Sequence, residues 1–422
     1  MKRLLPPLIL AAFGAAFFKA SRHHIEPGFA LRQEGAASNA AAEISSRFAS
    51  STQNIQTHAA SLIELKDGRI RAFWFAGSRE GARDVAIRSA VFDPAQGQWG
   101  AEQIIATRET TMRGLQRYIA KLGNPVPARA ADGTLWLYYV TVSVGGWAGS
   151  SITAIKSDDE GMTWGAPQRL VTSPFINIST LVKGAPFLYA DGTLGLPVYH
   201  EFISKFGELL RLDGGRVLDK QRLTAAGNGA LQPVVMMKNA SEAQVLMRYS
   251  GGGEHRAVTV STHDGGTSWS APAKSVLPNP DAAISALALP DGKLLAVLNN
   301  QESGRDALSL MASMDGGASW KSVYQLEDQR KTAPDEAAYQ KTVEGLVKES
   351  DAGAAASASA YVESAKRQVC PDHSCRYEFS YPYLIRTQRG DFHLVYTWNR
   401  SFIKHVAFTR GWLEQKLKEA QP

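Results

Sequence analysis

The 422-residue chain is 44% hydrophobic and 20% charged, ordinary globular composition with ample length for a large core. Its net charge of +6 suits acidic ligands, but no dense Lys/Arg cluster marks a nucleic-acid surface, and nucleic-acid binding is not expected. Length alone suggests two or three domains, a prior that repeat folds override.

In chain order, Lys2 and Arg3 precede an apolar stretch, Leu4 to Phe18, of signal-peptide length and short for a membrane span. Residues 1–20 are therefore expected to direct export, periplasmic or extracellular. Phe17, Phe18 and Lys19 spoil a clean cleavage site, so a cleaved signal and a retained tether both stay open. Any membrane association is expected through this segment alone. Residues 21–57 follow as an N-terminal segment, in which "SSRFAS" (45–50) can serve as a strand.

From here the chain repeats. "SDDEGMTWGAP" (157–167), "THDGGTSWSAP" (262–272) and "SMDGGASWKSV" (313–323) share one pattern, and "FDPAQGQWGAE" (92–102) is a degenerate copy. Trp269 and Trp320 are 51 residues apart, and Trp164 and Trp269 are 105 apart, close to two units. Hairpin turns run in phase: "KDGRI", "ADGTLWLYY", "ADGTLGLPV", "KNASEAQVLM", "PDGKLLAVL" and "QRGDFHLVY", each leading into a strand-like run. A four-stranded antiparallel unit with a period near 50 implies an all-β fold, a six-bladed β-propeller over residues 58–412. The blades begin near His58, Asn124, Lys183, Gln232, Ile284 and Tyr381. "GWLEQKLKEA" reads as helix, so the last blade lacks an outer strand, which residues 45–50 could supply.

Residues 328–377 break the rhythm. They are rich in Ala, Glu and Lys and read as a helical insertion between blades five and six, either a solvated excursion or a lid. At its exit, "CPDHSC" holds the chain's two cysteines. A local Cys370–Cys375 disulfide is expected, with a metal site including His373 as the rival. No cofactor is expected.

The Ser-x-Asp-x-Gly-x-Thr-Trp pattern resembles the Asp box of the sialidases and their bacterial neuraminidase-repeat relatives. "HAASLIELKDGRIRAFWFAGSREGARDVAI" is similar to the first blade of that branch, and "EFSYPYLIRTQRGDFHLVYTWNRSFIKHV" to its last. The repeated boxes are read as structural staples in the turns between third and fourth strands, so Asp159, Asp264 and Asp315 are not expected in catalysis.

The chemistry is expected at the opposite mouth, where inner strands begin and second strands end. Tyr381 matches the family's nucleophile, and Arg248 one of three arginines that clamp a substrate carboxylate. Asp84 or Glu80 would be the general acid, and Glu254 a base partner for Tyr381. His58, Arg79, Lys183, His200, Asn300, Asn399 and Arg400 complete the candidate mouth, with Arg400 or Arg305 standing in for a missing arginine. The pattern departs from the family at His58, where an arginine is usual, and at Gln232, where a glutamate is. The resemblance implies an exported glycoside hydrolase acting on a terminal sialic acid or related acidic sugar, and a monomer. Two alternatives stay open: a lyase acting on uronates through His58, His200 and Tyr381, and a non-catalytic glycan-binding propeller.

Overall fold

The computed structural model describes residues 5–21, 26–31, 41–173, 177–224, 229–331, 335–349, 362–364, 366–367, 370 and 375–420. Six antiparallel sheets form a six-bladed propeller. Blade one runs Gln56–Glu64, Ile70–Gly77, Ala86–Asp93, with Gln98–Trp99 and Gln103–Thr107 outermost. Blade two opens with Lys121–Arg129, blade three with Leu181–Val182, blade four with Ala230–Met237, blade five with Ser285–Ala288 and blade six with Phe379–Arg386. Neighbouring blades pack through their inner strands around the channel, except that the inner strand of blade four meets the second strand of blade three, and blade six meets blade one. The outer strand of blade six is Ile44–Phe48, which pairs antiparallel with Phe402–Phe408, so the ring is closed by the N-terminal side of the chain.

The core lies between blades. Strands buried on both faces carry continuous apolar runs such as "LWLYYVTV" in blade two and "FHLVYTW" in blade six. Each Asp box closes on itself. The Asp159 carboxylate accepts from the Thr163 backbone N–H (2.8 Å) and from its hydroxyl (2.6 Å), while the Ser157 hydroxyl donates to Asp159 and accepts from Gly161 N–H. Asp264 and Asp315 repeat this with Ser268 and Ser319. The box tryptophans pack between sheets, Trp164 edge-on to Phe73 of the neighbouring blade. In the degenerate box of blade one, Trp99 instead donates to His405 of blade six.

The helix Leu5–Ser21 covers the N-terminal apolar stretch, and among the described residues no helix is long and apolar enough to cross a membrane. In the insertion, helix Glu336–Glu349 is not a free excursion: Tyr339 and Val343 are buried in the cluster shared by blades five and six. Cys370 and Cys375 form a disulfide. His373, the third ligand of the rival metal site, lies outside the described residues. The C-terminal helix Arg410–Glu419 buries Trp412, Leu413 and Leu417 against the same cluster.

Candidate active site

A repeated backbone device aims side chains into the channel. The inner strands of blades one, two, four and six each lose register at the same point: between His58 and Ser61, Gly123 and Val126, Leu231 and Val234, and Ser380 and Tyr383. At each bulge a non-glycine residue takes a left-handed conformation: Ala59 (φ 54°), Asn124 (38°), Gln232 (54°) and Tyr381 (55°). Such residues each cost on the order of 1–3 kcal/mol and persist where the surroundings over-determine them. Bulges of this kind re-aim a side chain, and here they deliver Gln232 and Tyr381 to one point.

That point is a cavity of about 260 Å³ open at the mouth, with groups from all six blades. Blade one gives His58 and Glu80, blade two Asn124 and Trp147, and blade three Leu181, Tyr199 and Glu201. Blades four and five give Arg248 and Arg305, and blade six gives Tyr381 and Arg400. The phenol oxygen of Tyr381 accepts from Arg248 Nη1 at 3.4 Å and from Gln232 Nε2 at 3.3 Å. Gln232 Nε2 also reaches the Tyr199 hydroxyl at 3.4 Å, to which Asn124 donates as well. The His58 ring lies 4.3 Å from that of Tyr381, centroid to centroid.

Three guanidinium groups therefore share the cavity, each anchored by acid groups. Arg248 Nε pairs with Asp281 at 2.5 Å. Glu378 bridges Arg305 (3.1 Å) and Arg400 (2.6 Å), and Arg400 also pairs with Glu80 at 3.0 Å. Arg400 is the second of two consecutive left-handed residues, after Asn399, both at φ 51°. A guanidinium carries five N–H donors, so these pairs leave donors over for a ligand.

The electrostatics follow. Burial penalises the Arg248 cation, but the Tyr381 oxygen and Asp281 outweigh it and hold its pKa above the usual arginine value. Burial also opposes ionisation of Glu378, yet Arg400, His58 and Arg305 pull it down to about 2. Burial and then Arg400 lower His58 to about 4, so its imidazole is neutral at pH 7. Burial raises Glu201 against the pull of Arg248 and Lys205. Among the described residues, no cluster of His, Cys, Asp and Glu has metal-site geometry.

Several candidate residues sit elsewhere. Asp84 is exposed and turned into its own loop, accepting from the Ser78 N–H (2.8 Å) and hydroxyl (2.9 Å). Glu254 is exposed and pairs with Arg256 at 2.5 Å, so it is no partner of Tyr381. Arg79 is exposed and Asn300 half-buried, and neither lines the cavity. The His200 ring stacks on Phe206 at 4.6 Å, outside the lining. Asn399 is fully buried and accepts from Glu378 N–H, so it fixes the glutamate rather than a ligand. Lys183 lies beneath the floor, 5.6 Å from the Tyr381 ring and 5.0 Å from that of Tyr383, and burial lowers its pKa to about 7.

Tyr199, Glu378 and Asp281 escaped the sequence reading. Tyr199 ends an apolar strand, "LGLPVYH", and reads as core. Glu378 stands at the exit of the insertion, and its partners Arg305 and Arg400 are distant in the chain.

A family model described as a BNR repeat-like domain matches residues 68–394. Among solved structures the fold is similar to the Hadza microbial sialidase Hz136, with TM-score 0.60 and 15% identity, covering 84% of this chain and 66% of that one. The chain thus spans just under two thirds of that protein's length. It is similar also to the intramolecular trans-sialidase from Ruminococcus gnavus, solved with oseltamivir carboxylate (TM-score 0.59, 12% identity, 87% of this chain and 96% of that one). A protein of unknown function from Dyadobacter fermentans is comparable (TM-score 0.61, 13% identity, 86% and 98%). Comparison with curated proteins finds no match. At these identities the structural likeness carries the fold alone.

Proposed function

The chain belongs to the BNR repeat-like domain family, and on that footing we propose that it is a sialidase-type glycoside hydrolase, releasing a terminal sialic acid or a related acidic sugar. The observation that carries this reading is the contact of Arg248 with the Tyr381 oxygen, with Arg305 and Arg400 on the same cavity. A sugar whose anomeric carbon bears a carboxylate would present that group to the guanidinium forks. Its anomeric carbon would then meet the Tyr381 oxygen, where two donors stabilise charge. A tyrosine nucleophile is the sialidase exception among glycosidases.

The test is hydrolysis of a fluorogenic sialoside by the wild-type protein and by Tyr381→Phe. Turnover that vanishes in the variant supports the assignment, and undiminished turnover sinks it. A second reading, β-elimination on a uronate polysaccharide, is favoured by one feature: neutral His58 abuts Tyr381, and Gln232 offers no carboxylate there. An ultraviolet-absorbing unsaturated product would select the lyase. The Cys370–Cys375 disulfide fits an oxidising compartment and supports the expectation of export.

A further inference from the structure

We propose that Glu201 is the proton-transfer residue of this site. In that role it protonates the departing glycosidic oxygen and then deprotonates the attacking water. The assignment rests on the hydrolase reading above and replaces both acids expected from the sequence.

Four carboxylates stand at or beside the cavity. Asp281 is committed to Arg248, Glu378 to Arg305 and Arg400, and Glu80 to Arg400. A carboxylate held by a guanidinium is fixed on that partner and is not free to turn toward a leaving group. Glu201 lines the same cavity, and among the described residues no cation comes within ion-pair distance of it. It follows directly on the second strand of blade three, Leu194–His200, so a rigid element carries it. Its backbone N–H is fixed by the Ser179 hydroxyl at 2.8 Å, and Ser179 is itself fully buried at φ 56°.

The charged groups that face Glu201 are Arg248, Lys205, Asp281 and Glu80, with the Tyr199 phenol nearby. The two cations are occupied: Arg248 by Asp281, and Lys205 by Ser250, to which its ammonium donates at 2.6 Å. Burial then dominates and favours the protonated carboxyl, as a general acid requires. Asp84 is the reverse case. Desolvation is the largest single influence and raises it, but the hydrogen bonds it accepts from Ser78, with smaller contributions, outweigh this and hold it low, away from the cavity. Gln232, beside the reacting oxygen, is an amide and neither takes nor gives a proton at neutral pH.

The steps balance. The Tyr381 phenol first releases its proton to water at the open mouth, and Arg248 and Gln232 donate to the oxygen left behind. Protonated Glu201 then gives its proton to the glycosidic oxygen as the bond to the anomeric carbon breaks and the phenolate oxygen of Tyr381 bonds to that carbon. The alcohol leaves. Ionised Glu201 then takes a proton from water, whose oxygen bonds to the anomeric carbon while the Tyr381 bond breaks and returns its electron pair to the phenolate. Glu201 ends protonated, as it began.

The test compares wild type with Glu201→Gln on two substrates: an umbelliferyl sialoside, whose leaving group needs little protonation, and an alkyl-linked sialyl-oligosaccharide. General acid catalysis contributes about 10²–10⁴-fold, so the variant should lose at least about a hundredfold on the oligosaccharide and far less on the aryl substrate. The basic limb of its pH profile should vanish, and added azide should raise aryl turnover by forming the glycosyl azide. Equal losses on both substrates, an intact basic limb and no azide effect, at an unchanged thermal transition, would overturn the assignment while leaving the hydrolase reading standing. Glu80→Gln serves as the contrast: if it, and not Glu201→Gln, shows the leaving-group dependence, the assignment is overturned. A wild-type protein that cleaves neither these sialosides nor glycosides of other acidic sugars removes the hydrolase reading and this assignment with it.

Discussion

The Gln232 amide donates to the phenol oxygen of Tyr381 across 3.3 Å, and its own carbonyl accepts from Arg248 at 3.5 Å. The group facing the reacting oxygen can therefore stabilise charge there but cannot accept a proton. In the hydrolase reading, Gln232→Leu removes a donor to a charged oxygen, a contact of about 1.5–3 kcal/mol. We expect kcat to fall roughly 10- to 100-fold with little change in KM. An unaltered kcat on an aryl sialoside would show that the amide does not support the reaction.

The arginines should act on binding. Arg248→Lys keeps a charge but loses the fork that joins Asp281 to the Tyr381 oxygen. Affinity for a free acidic monosaccharide, by calorimetry, should drop by about ten- to a hundredfold, toward the lower end of the roughly 2–5 kcal/mol of full truncation at a buried pair. Arg305→Lys and Arg400→Lys should weaken it in the same direction, because both surround the same cavity. Affinity for a neutral monosaccharide should stay level in all three, and a parallel loss there would assign the arginines to fold support instead.

Much of this was legible in the sequence because propellers repeat. The box tryptophans and in-phase turns carry blade number, and blade position carries the inner-strand starts, so Tyr381, Arg248 and His58 could be located by period alone. Side-chain direction within a loop has no such period. Asp84 and Glu254 stand on mouth loops, but each satisfies itself locally, on Ser78 and Arg256. Glu378 was hidden for the opposite reason. Its role comes from Arg305 and Arg400, 73 and 22 residues away, a relation that no local pattern records.

The Asp boxes predict a separation of stability from activity. Asp264 accepts from Ser268 and Thr262, and these hydrogen bonds hold its pKa at about 2. Asp264→Ala should lower the thermal transition while kcat on a sialoside at 25 °C stays near wild type, since the box lies in a turn between third and fourth strands. A large loss of kcat with an unchanged transition would put the box in the chemistry after all.

The buried histidines of blade six add to the acid sensitivity of the fold, as buried His58 does. Trp99 donates to His405 Nδ1 at 3.3 Å, so neutral His405 carries its hydrogen on Nε2 and donates to His393 Nδ1 at 2.9 Å. Both rings are buried, and burial lowers His393 to about 4 and His405 well below its usual value. Above pH 6.5 both are neutral folded or unfolded and add no pH dependence. As pH falls below 6.5 the unfolded chain takes up protons that the folded one refuses, so stability declines until the folded pKa is reached. For His393 that window runs from pH 6.5 to about 4, and the shift corresponds to roughly 3 kcal/mol. Calorimetric transitions measured at pH 7.5, 6 and 5 should drop steeply in the wild type. They should drop less in a His393→Phe, His405→Leu double variant, whatever its starting stability. Equal slopes in the two proteins would mean that protonation of this pair does not limit the fold in acid.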